Sequence, residues 1–540
     1  MRQNLTIKGE VEMRFWDKVR VGMLCVNYTL VMVLLSIIIF GATQQRATGN
    51  VSVRYSRPSY TVTFDPAGGG GVSPSQKSVK LGDLYGDLPV PTKTGYSFVG
   101  WKYSNELVTS TTKNLTQGDH TLTASWGHSV KFDYNNGTLS NSLSPTYAGE
   151  VGTTTSLPST LNPTYSGHTF AGWHYGKNLI EPTTFTGSNF IALGRDYMFT
   201  DKFTVVVRAY MDDWTKFGTK KTTLISCTER GGWSLSNEID YNAVNYISFA
   251  FMSEKTNSYI HTYSSITFSQ MSSGYHTFIG TFDGSYARLY IDGILVGTSA
   301  NASTTIKYDS SNGIFVGAEA EANTVSPYGY FFTGKVDYVS IENSTIDEAK
   351  NIGANLITGT NFDGSNYISL GKAYKYKSKI AITIRASMND WSKFSLMSMI
   401  SCTNGGGWAI EAKQDVILFA AYDSSSNDYN RAFSSIKTSE LKSGYHTFVG
   451  IFNGEDLKLY IDDELVANGT KFGSKNIKYY PDNGIFVGAE AGNNTSSPEV
   501  DYYQYFKGTI SYVSIDNTFV ANKNSYIYQD FDVVATAIWN

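Results

Sequence analysis

Two long stretches of this chain repeat each other block by block. Asn312-Gly-Ile-Phe-Val-Gly-Ala-Glu319 recurs as Asn483-Gly-Ile-Phe-Val-Gly-Ala-Glu490, and Gly274-Tyr-His-Thr-Phe278 recurs as Gly444-Tyr-His-Thr-Phe448. Met211-Asp-Asp-Trp-Thr-Lys-Phe217 matches Met388-Asn-Asp-Trp-Ser-Lys-Phe394, and Asn189-Phe-Ile-Ala-Leu-Gly194 matches Asn366-Tyr-Ile-Ser-Leu-Gly371. The period, roughly 170 residues, is far too long for a solenoid and long enough for each copy to bury its own core. Within a copy the blocks are short strands separated by Gly, Asn and Asp turns, the pattern of an antiparallel sandwich. Two sandwiches are therefore expected, at 184–350 and 355–522. Composition agrees: 50 Gly, 38 Tyr and 30 Phe against 12 Pro suit strands and tight turns.

A second, smaller repeat precedes and encloses the first. Tyr60-Thr-Val-Thr-Phe64, the glycine turn at Gly68–Gly71, Leu88-Pro89, Gly95-Tyr-Ser-Phe98-Val-Gly100-Trp101 and Thr121-Leu-Thr-Ala-Ser-Trp126 form one unit, 59–126. Val130-Lys-Phe132, Asn136-Gly137, Leu157-Pro158 and Gly167-His-Thr-Phe170-Ala-Gly172-Trp173 repeat the first part of it. The final strand is missing at the expected distance. Asp532-Val-Val-Ala-Thr-Ala-Ile-Trp539 supplies it, with Ala537 two before Trp539 as Ala124 is two before Trp126. The second unit is thus expected to be split, 128–183 plus 526–540, with both sandwiches inserted in its last loop. Loops tolerate such inserts when the ends of the insert lie close together.

The Gly-Tyr-x-Phe-x-Gly-Trp block with its Leu-x-Ala-x-Trp strand resembles the Listeria-Bacteroides repeat of bacterial surface proteins, which implies a small β-grasp-like fold. Gly274-Tyr-His-Thr-Phe278, Leu289-Tyr-Ile-Asp-Gly293 and Phe332-Thr-Gly-Lys-Val-Asp-Tyr-Val-Ser-Ile341 resemble the laminin-G-like, concanavalin A-like jelly rolls. The second copy carries the same blocks at Phe448 to Asp462 and Phe506 to Ile515. That resemblance implies glycan or protein binding, often with calcium at the sandwich rim.

Val21 to Ala42 carries no charge and matches the length of a membrane-crossing helix. Arg14, Lys18 and Arg20 before it place a short tail, 1–20, in the cytoplasm, with a linker at 43–58 and the bulk of the chain outside. A cleaved signal peptide is the competing reading, although no small-x-small site fits well. The chain would then be a cell-surface or secreted protein, binding glycans or extracellular and envelope proteins. A net charge of −4 with no basic block beyond the N-terminus excludes nucleic acid.

The three cysteines, Cys25, Cys227 and Cys402, fall in separate units, so no disulfide within a domain is expected and Cys227 and Cys402 read as buried. His276 and His446 lie inside matching strand motifs and read as structural. No zinc spacing or nucleophile-base pair stands out, and no enzyme is expected. Glu238-Ile-Asp240 is the nearest match to the paired carboxylates of a glycosidase, but position 243 is Ala and the strand around Glu411 has no such pair.

The candidate binding residues recur in loops of both copies: Asp213 and Trp214, with Asp390 and Trp391. Asp212, Asp213, Glu319, Asp390 and Glu490 are candidate calcium ligands, supported by Asn323, Asn389 and Asn493. The alternative is that these indoles cap the sandwich. Trp101, Trp126, Trp173, Trp539, Trp233 and Trp408 are expected in cores.

Overall fold

The structure is a computed structural model that describes residues 56–139, 146–151, 153–156, 162–237, 246–321, 323–491, 498, 505–520 and 525–540. The expected membrane span and cytoplasmic tail, Glu238, Asp240 and Asn493 lie outside those residues. Among the described residues no helix is long and apolar enough to cross a membrane. The described chain is almost entirely β.

The small repeats share one strand. His120–Asp133 runs through both, its first half parallel to Ser59–Asp65 and antiparallel to Ser97–Tyr103. Its second half pairs with Thr146–Gly149 and, in parallel, with Val533–Trp539. This last strand, here the closing strand, also lies antiparallel to Phe170–Lys177, with Ala537 opposite Trp173 as Ala124 lies opposite Trp101. The packing matches as well. Phe64 and Trp101 have ring centroids 5.0 Å apart, and so do Phe132 and Trp173. Phe98 lies 5.6 Å from Trp126, and Phe170 lies 5.6 Å from Trp539. Trp126 Nε1 donates to Pro66 O at 2.9 Å, and Trp539 Nε1 to Asn135 O at 3.1 Å. A Cβ on Gly137 would lie 2.5 Å from the Trp539 ring, so only glycine lets the turn close over the indole.

Each sandwich has two six-stranded sheets. In the first, the inner sheet runs, in spatial order, Ile294–Thr298, Ala287–Ile291, Gly274–Phe282, Phe203–Met211, Thr333–Glu342 and Thr183–Thr186. The outer sheet runs Ile191–Gly194, Ile314–Val316, Thr222–Ser226, Trp233–Asn237, Ile247–Ser253 and Ser258–Tyr263. The second sandwich has the same order. Its inner sheet is built on Ile380–Met388, Gly444–Phe452 and Lys507–Asp516, and its outer sheet ends in Trp408–Lys413, Val416–Asp423 and Asp428–Lys437. Trp233, Phe249 and Phe278 sit at 0 % exposure in one core, and Trp408, Phe419 and Phe448 at 0 % in the other. Cys227 and Cys402 are free and buried, and burial pushes both thiols up to about 12.

The inner sheets are covered on both sides. Val206, Ile279, Tyr290 and Tyr338 pack their outward side chains against Val534 and Ile538 of the closing strand. Ala381, Val449, Ile451 and Tyr460 of the second sandwich join a cluster with Tyr175, Phe519, Tyr526, Tyr528 and the module core. The closing strand and its partners therefore hold both sandwiches by their inner sheets. Among the described residues, the outward faces of the outer sheets take no part in these clusters.

Asp516 sits at this second junction, 7 % exposed, and burial raises its carboxyl to about 6 despite a hydrogen bond from the Gly353 amide at 3.0 Å. A carboxyl raised on folding contributes stability below its unfolded pKa, and that contribution is lost as pH rises through the folded value. Asp516→Asn is expected to remove this loss. The variant should exceed the parent in stability at neutral pH by on the order of 2 kcal/mol and fall less steeply between about pH 4 and 6. Thermal unfolding across pH checks it; superimposable profiles would refute it.

Candidate ligand-binding face

Strand alternation sets the outward side of each outer sheet. In the second sandwich, Trp408, Ile410, Phe419, Ala421 and Ala432 enter the core, so Ala409, Glu411, Leu418, Ala420, Tyr429, Arg431 and Phe433 face away from it. A pocket of roughly 290 Å³ opens over Ala420, lined by Thr403, Asn404, Gly405, Glu411, Tyr429, Arg431 and Glu490. Its wall is fixed by local hydrogen bonds. Tyr429 donates to Gly406 O at 2.9 Å and accepts from Gly406 N at 3.2 Å. Asn483 Nδ2 holds the 403–405 turn through Thr403 O at 2.5 Å and Asn404 O at 3.0 Å. The Arg431 guanidinium lies over the Tyr429 ring, 5.4 Å from its centroid.

The electrostatics are mixed. Burial raises the Glu411 carboxyl, partly offset by a hydrogen bond from Ser398 Oγ at 3.3 Å. Glu490 Oε1 accepts from Thr403 Oγ1 at 3.5 Å. Burial also pushes the Tyr429 phenol up, so it stays a neutral donor. The pocket thus offers an aromatic ring, a guanidinium, carboxylates and hydroxyls around a small apolar floor, which suits a ligand rich in hydroxyl groups.

The first sandwich carries the counterpart. Sheet register places Tyr259, His261 and Tyr263 where Tyr429, Arg431 and Phe433 stand, and Ser236 where Glu411 stands. Tyr259 donates to Gly231 O at 2.8 Å, and Thr228 Oγ1 to Glu319 Oε1 at 3.4 Å. Lys221 pairs with Glu319 at 3.2 Å. His261 and Tyr263 stack at 5.8 Å with 12° between their planes, and Tyr263 is 45 % exposed. The two faces share a frame but differ at the positions that would read a ligand.

Two kinds of candidate residue are thus separated. Glu319 and Glu490 belong to the outward faces. Trp214 and Trp391 do not bind at a surface: each is 1 % exposed, and their Nε1 groups donate to Gly274 O and Gly444 O, both at 3.1 Å. They enter the core because Asp213 and Asp390 cap short 3₁₀ turns, accepting from Thr215 and Ser392, and each turn folds its indole inward. Both caps are held below the usual carboxylate range by those donors. Asp212 accepts from Tyr210 OH at 2.7 Å, and Asn323 Oδ1 accepts from the Val325 and Ser326 amides. Asn389 and Asp390 line a separate hollow at the end of the inner sheet, with Asp363, Lys393 and Lys507. Among the described residues no three His, Cys, Asp or Glu side chains converge, so the structure brings no three of Asp212, Asp213, Glu319, Asp390 and Glu490 together. His276 and His446 bond Asp292 at 2.6 Å and Asp462 at 2.5 Å and hold hairpin turns.

Tyr259, Tyr429, His261 and Arg431 are not among the expected site residues, and Glu411 is weighed only for a glycosidase carboxylate pair. The signal was present: Tyr259-Ile-His-Thr-Tyr263 and Tyr429-Asn-Arg-Ala-Phe433 alternate at one place in both copies.

Residues 60–125 and 128–197 match the Listeria-Bacteroides repeat domain, and residues 185–350 match the concanavalin A-like lectin/glucanases superfamily. The chain joins Listeria-Bacteroides repeats to a concanavalin A-like sandwich. The second sandwich repeats the strand order of the first. The second Listeria-Bacteroides match runs on past Lys177 into strands of the first concanavalin A-like sandwich, whereas the strand that closes the module lies at 533–539.

Two proteins of Evansella cellulosilytica are similar, one named in general terms as a Gly-rich membrane protein and one as a membrane protein. They are 32 % identical over 132 residues and 31 % over 136. These segments are 23 % and 24 % of this chain and only 14 % and 19 % of the relatives. Among solved structures, mouse laminin alpha1 LG4-5 is 12 % identical with TM-score 0.23, over 67 % of this chain and 96 % of that one. The Ruminococcus gnavus sialidase CBM40 is 11 % identical with TM-score 0.24, over 32 % and 95 %.

Proposed function

We propose that this chain is a non-catalytic surface protein that binds glycans through the outward faces of its concanavalin A-like sandwiches. The observation that carries this reading is the pocket of Tyr429, Arg431, Glu411 and Glu490 over Ala420, on the outward face of the outer sheet. Its counterpart at Tyr259, His261 and Glu319 supports display of two different faces by one chain. The uncharged segment 21–42 behind Arg14, Lys18 and Arg20 supports a single N-terminal anchor with the bulk outside the cell. The second reading is recognition of a matrix or envelope protein by the same faces, favoured by the exposed Tyr263 and, at 53 %, Phe433.

The test is a glycan and matrix-protein array probed with residues 56–540, with calcium and with chelator. Glycan binding is expected in both conditions, since the polar groups that line the pocket are the protein's own side chains. Tyr429→Ala should weaken binding by about tenfold or more, as loss of one aromatic contact and its hydrogen bonds implies. Binding only to proteins would favour the second reading; binding lost on chelation would return calcium to the account. A blank array, or an unaffected Tyr429→Ala, would remove the proposal.

A further inference from the structure

Where the two sandwiches meet the module, a carboxyl and an amine from different sandwiches touch in a largely enclosed place. Glu342 ends the strand Thr333–Glu342 of the first sandwich, and Lys379 immediately precedes Ile380–Met388 of the second. Lys379 Nζ lies against Glu342 Oε2, with the side chains 16 % and 3 % exposed. The other oxygen, Glu342 Oε1, accepts the backbone N–H of Lys177 at 2.8 Å. Phe519 covers the amine, its ring centroid 5.1 Å from Nζ, and Phe199, Ile341 and Phe531 line the adjoining hollow. His174 is 2 % exposed, its Nε2 has no hydrogen-bond partner, and it is near enough for the charge of Lys379 to act on it.

An ion pair is poorly served here. Both charges lose hydration, and a single contact in such a place often fails to offset that loss. Burial and the nearby charge of Lys177 push the Lys379 amine down to about 7. Burial likewise keeps the His174 imidazole neutral, at about 3. A proton passed from Nζ to the carboxyl removes both charges and leaves a neutral amine against a neutral acid, the two partners that condense to an amide. Their fixed contact replaces the entropy that such a reaction costs in solution.

We propose that Lys379 and Glu342 are joined by an intramolecular isopeptide bond that ties the two sandwiches together. Nζ attacks Cδ of the protonated carboxyl, and the charge gathering on Oε1 is met by the Lys177 N–H. The Nζ–Cδ bond forms and the Cδ–Oε2 bond breaks. Oε2 leaves as water with its own proton and one from Nζ. Nothing is oxidised or reduced. The bond gives a covalent tie to a chain whose described cysteines, Cys227 and Cys402, are buried in separate cores.

Mass spectrometry of the full-length protein tests it. Proteolysis should yield a branched peptide containing both Lys379 and Glu342, one water lighter than the two linear peptides together. Lys379→Arg should abolish it and return the intact mass to the sequence value for that variant. Recovery of Lys379 and Glu342 in separate unmodified peptides from the parent protein would overturn the proposal. So would a branched peptide that persists in Lys379→Arg.

Discussion

Replacing Trp539 by Ala should destabilise the protein by about 3–5 kcal/mol, the range for truncating a buried tryptophan. The loss should spread into the first sandwich. The indole is 2 % exposed, packs on Phe170 and Tyr165, and is capped by the turn that holds Gly137. Its own amide donates to Gly293 O at 3.1 Å, in the hairpin between Ala287–Ile291 and Ile294–Thr298. A cavity there loosens the closing strand from three partners at once: the shared strand, Phe170–Lys177 and the first inner sheet. Trp126→Ala is the control, since Trp126 holds the equivalent corner of the first module. Hydrogen exchange should show faster exchange in 128–177 and in the first inner sheet for Trp539→Ala, and only in 59–126 for Trp126→Ala. If a chain truncated before Tyr526 kept 129–173 as resistant to protease as the full chain, the role given to the closing strand would be wrong.

The second large effect is electrostatic. Asp133, at the end of the shared strand, has 5 % side-chain exposure and receives three donors from the first sandwich. Arg208 reaches Oδ1 at 2.7 Å, and Thr277 and Tyr338 reach Oδ2 at 2.9 Å each. Tyr338 also meets Thr536 of the closing strand at 2.9 Å. Asp133→Ala would leave Arg208 only its longer contact to Asp337 at 3.8 Å and take an acceptor from Thr277 and Tyr338, a loss of up to about 3–5 kcal/mol, the range for removing one partner of a buried pair. Calorimetry should show one cooperative transition dividing into two as module and sandwich uncouple. In a double-mutant cycle, adding Arg208→Ala should recover part of the loss, because the stranded charge goes with it. An unchanged single transition in Asp133→Ala would mean that the apolar contacts of Val534 and Ile538 suffice.

Much of the architecture was legible in the residues. The blocks that recur between the copies became equivalent strands. The Phe-Trp pairs of the small repeats became equivalent ring contacts because the same side chains at the same spacing meet the same neighbours. Asp532 to Trp539 could be assigned a partner across the chain because Ala and Trp keep their two-residue offset. The site was less legible. Asp213-Trp214 and Asp390-Trp391 look like an exposed loop motif, and only the capped 3₁₀ turn shows that the aspartate stays outside and the indole goes in. The residues that do line the outward face, Tyr429 and Arg431, stand in a strand whose alternation was readable. Alternation divides a strand into two faces but does not say which face another unit will cover.

By itself, then, the sequence determined the strands, their grouping into two duplicated units and two small modules, and the corners where aromatic rings meet. These depend on local spacing and on side-chain type. Tertiary structure decided that both inner sheets are buried a second time, that Asp133 gathers Arg208, Thr277 and Tyr338, and that Lys379 lies against Glu342. Each of these contacts joins residues from different units, and their meeting depends on how whole sheets dock, which no local pattern encodes.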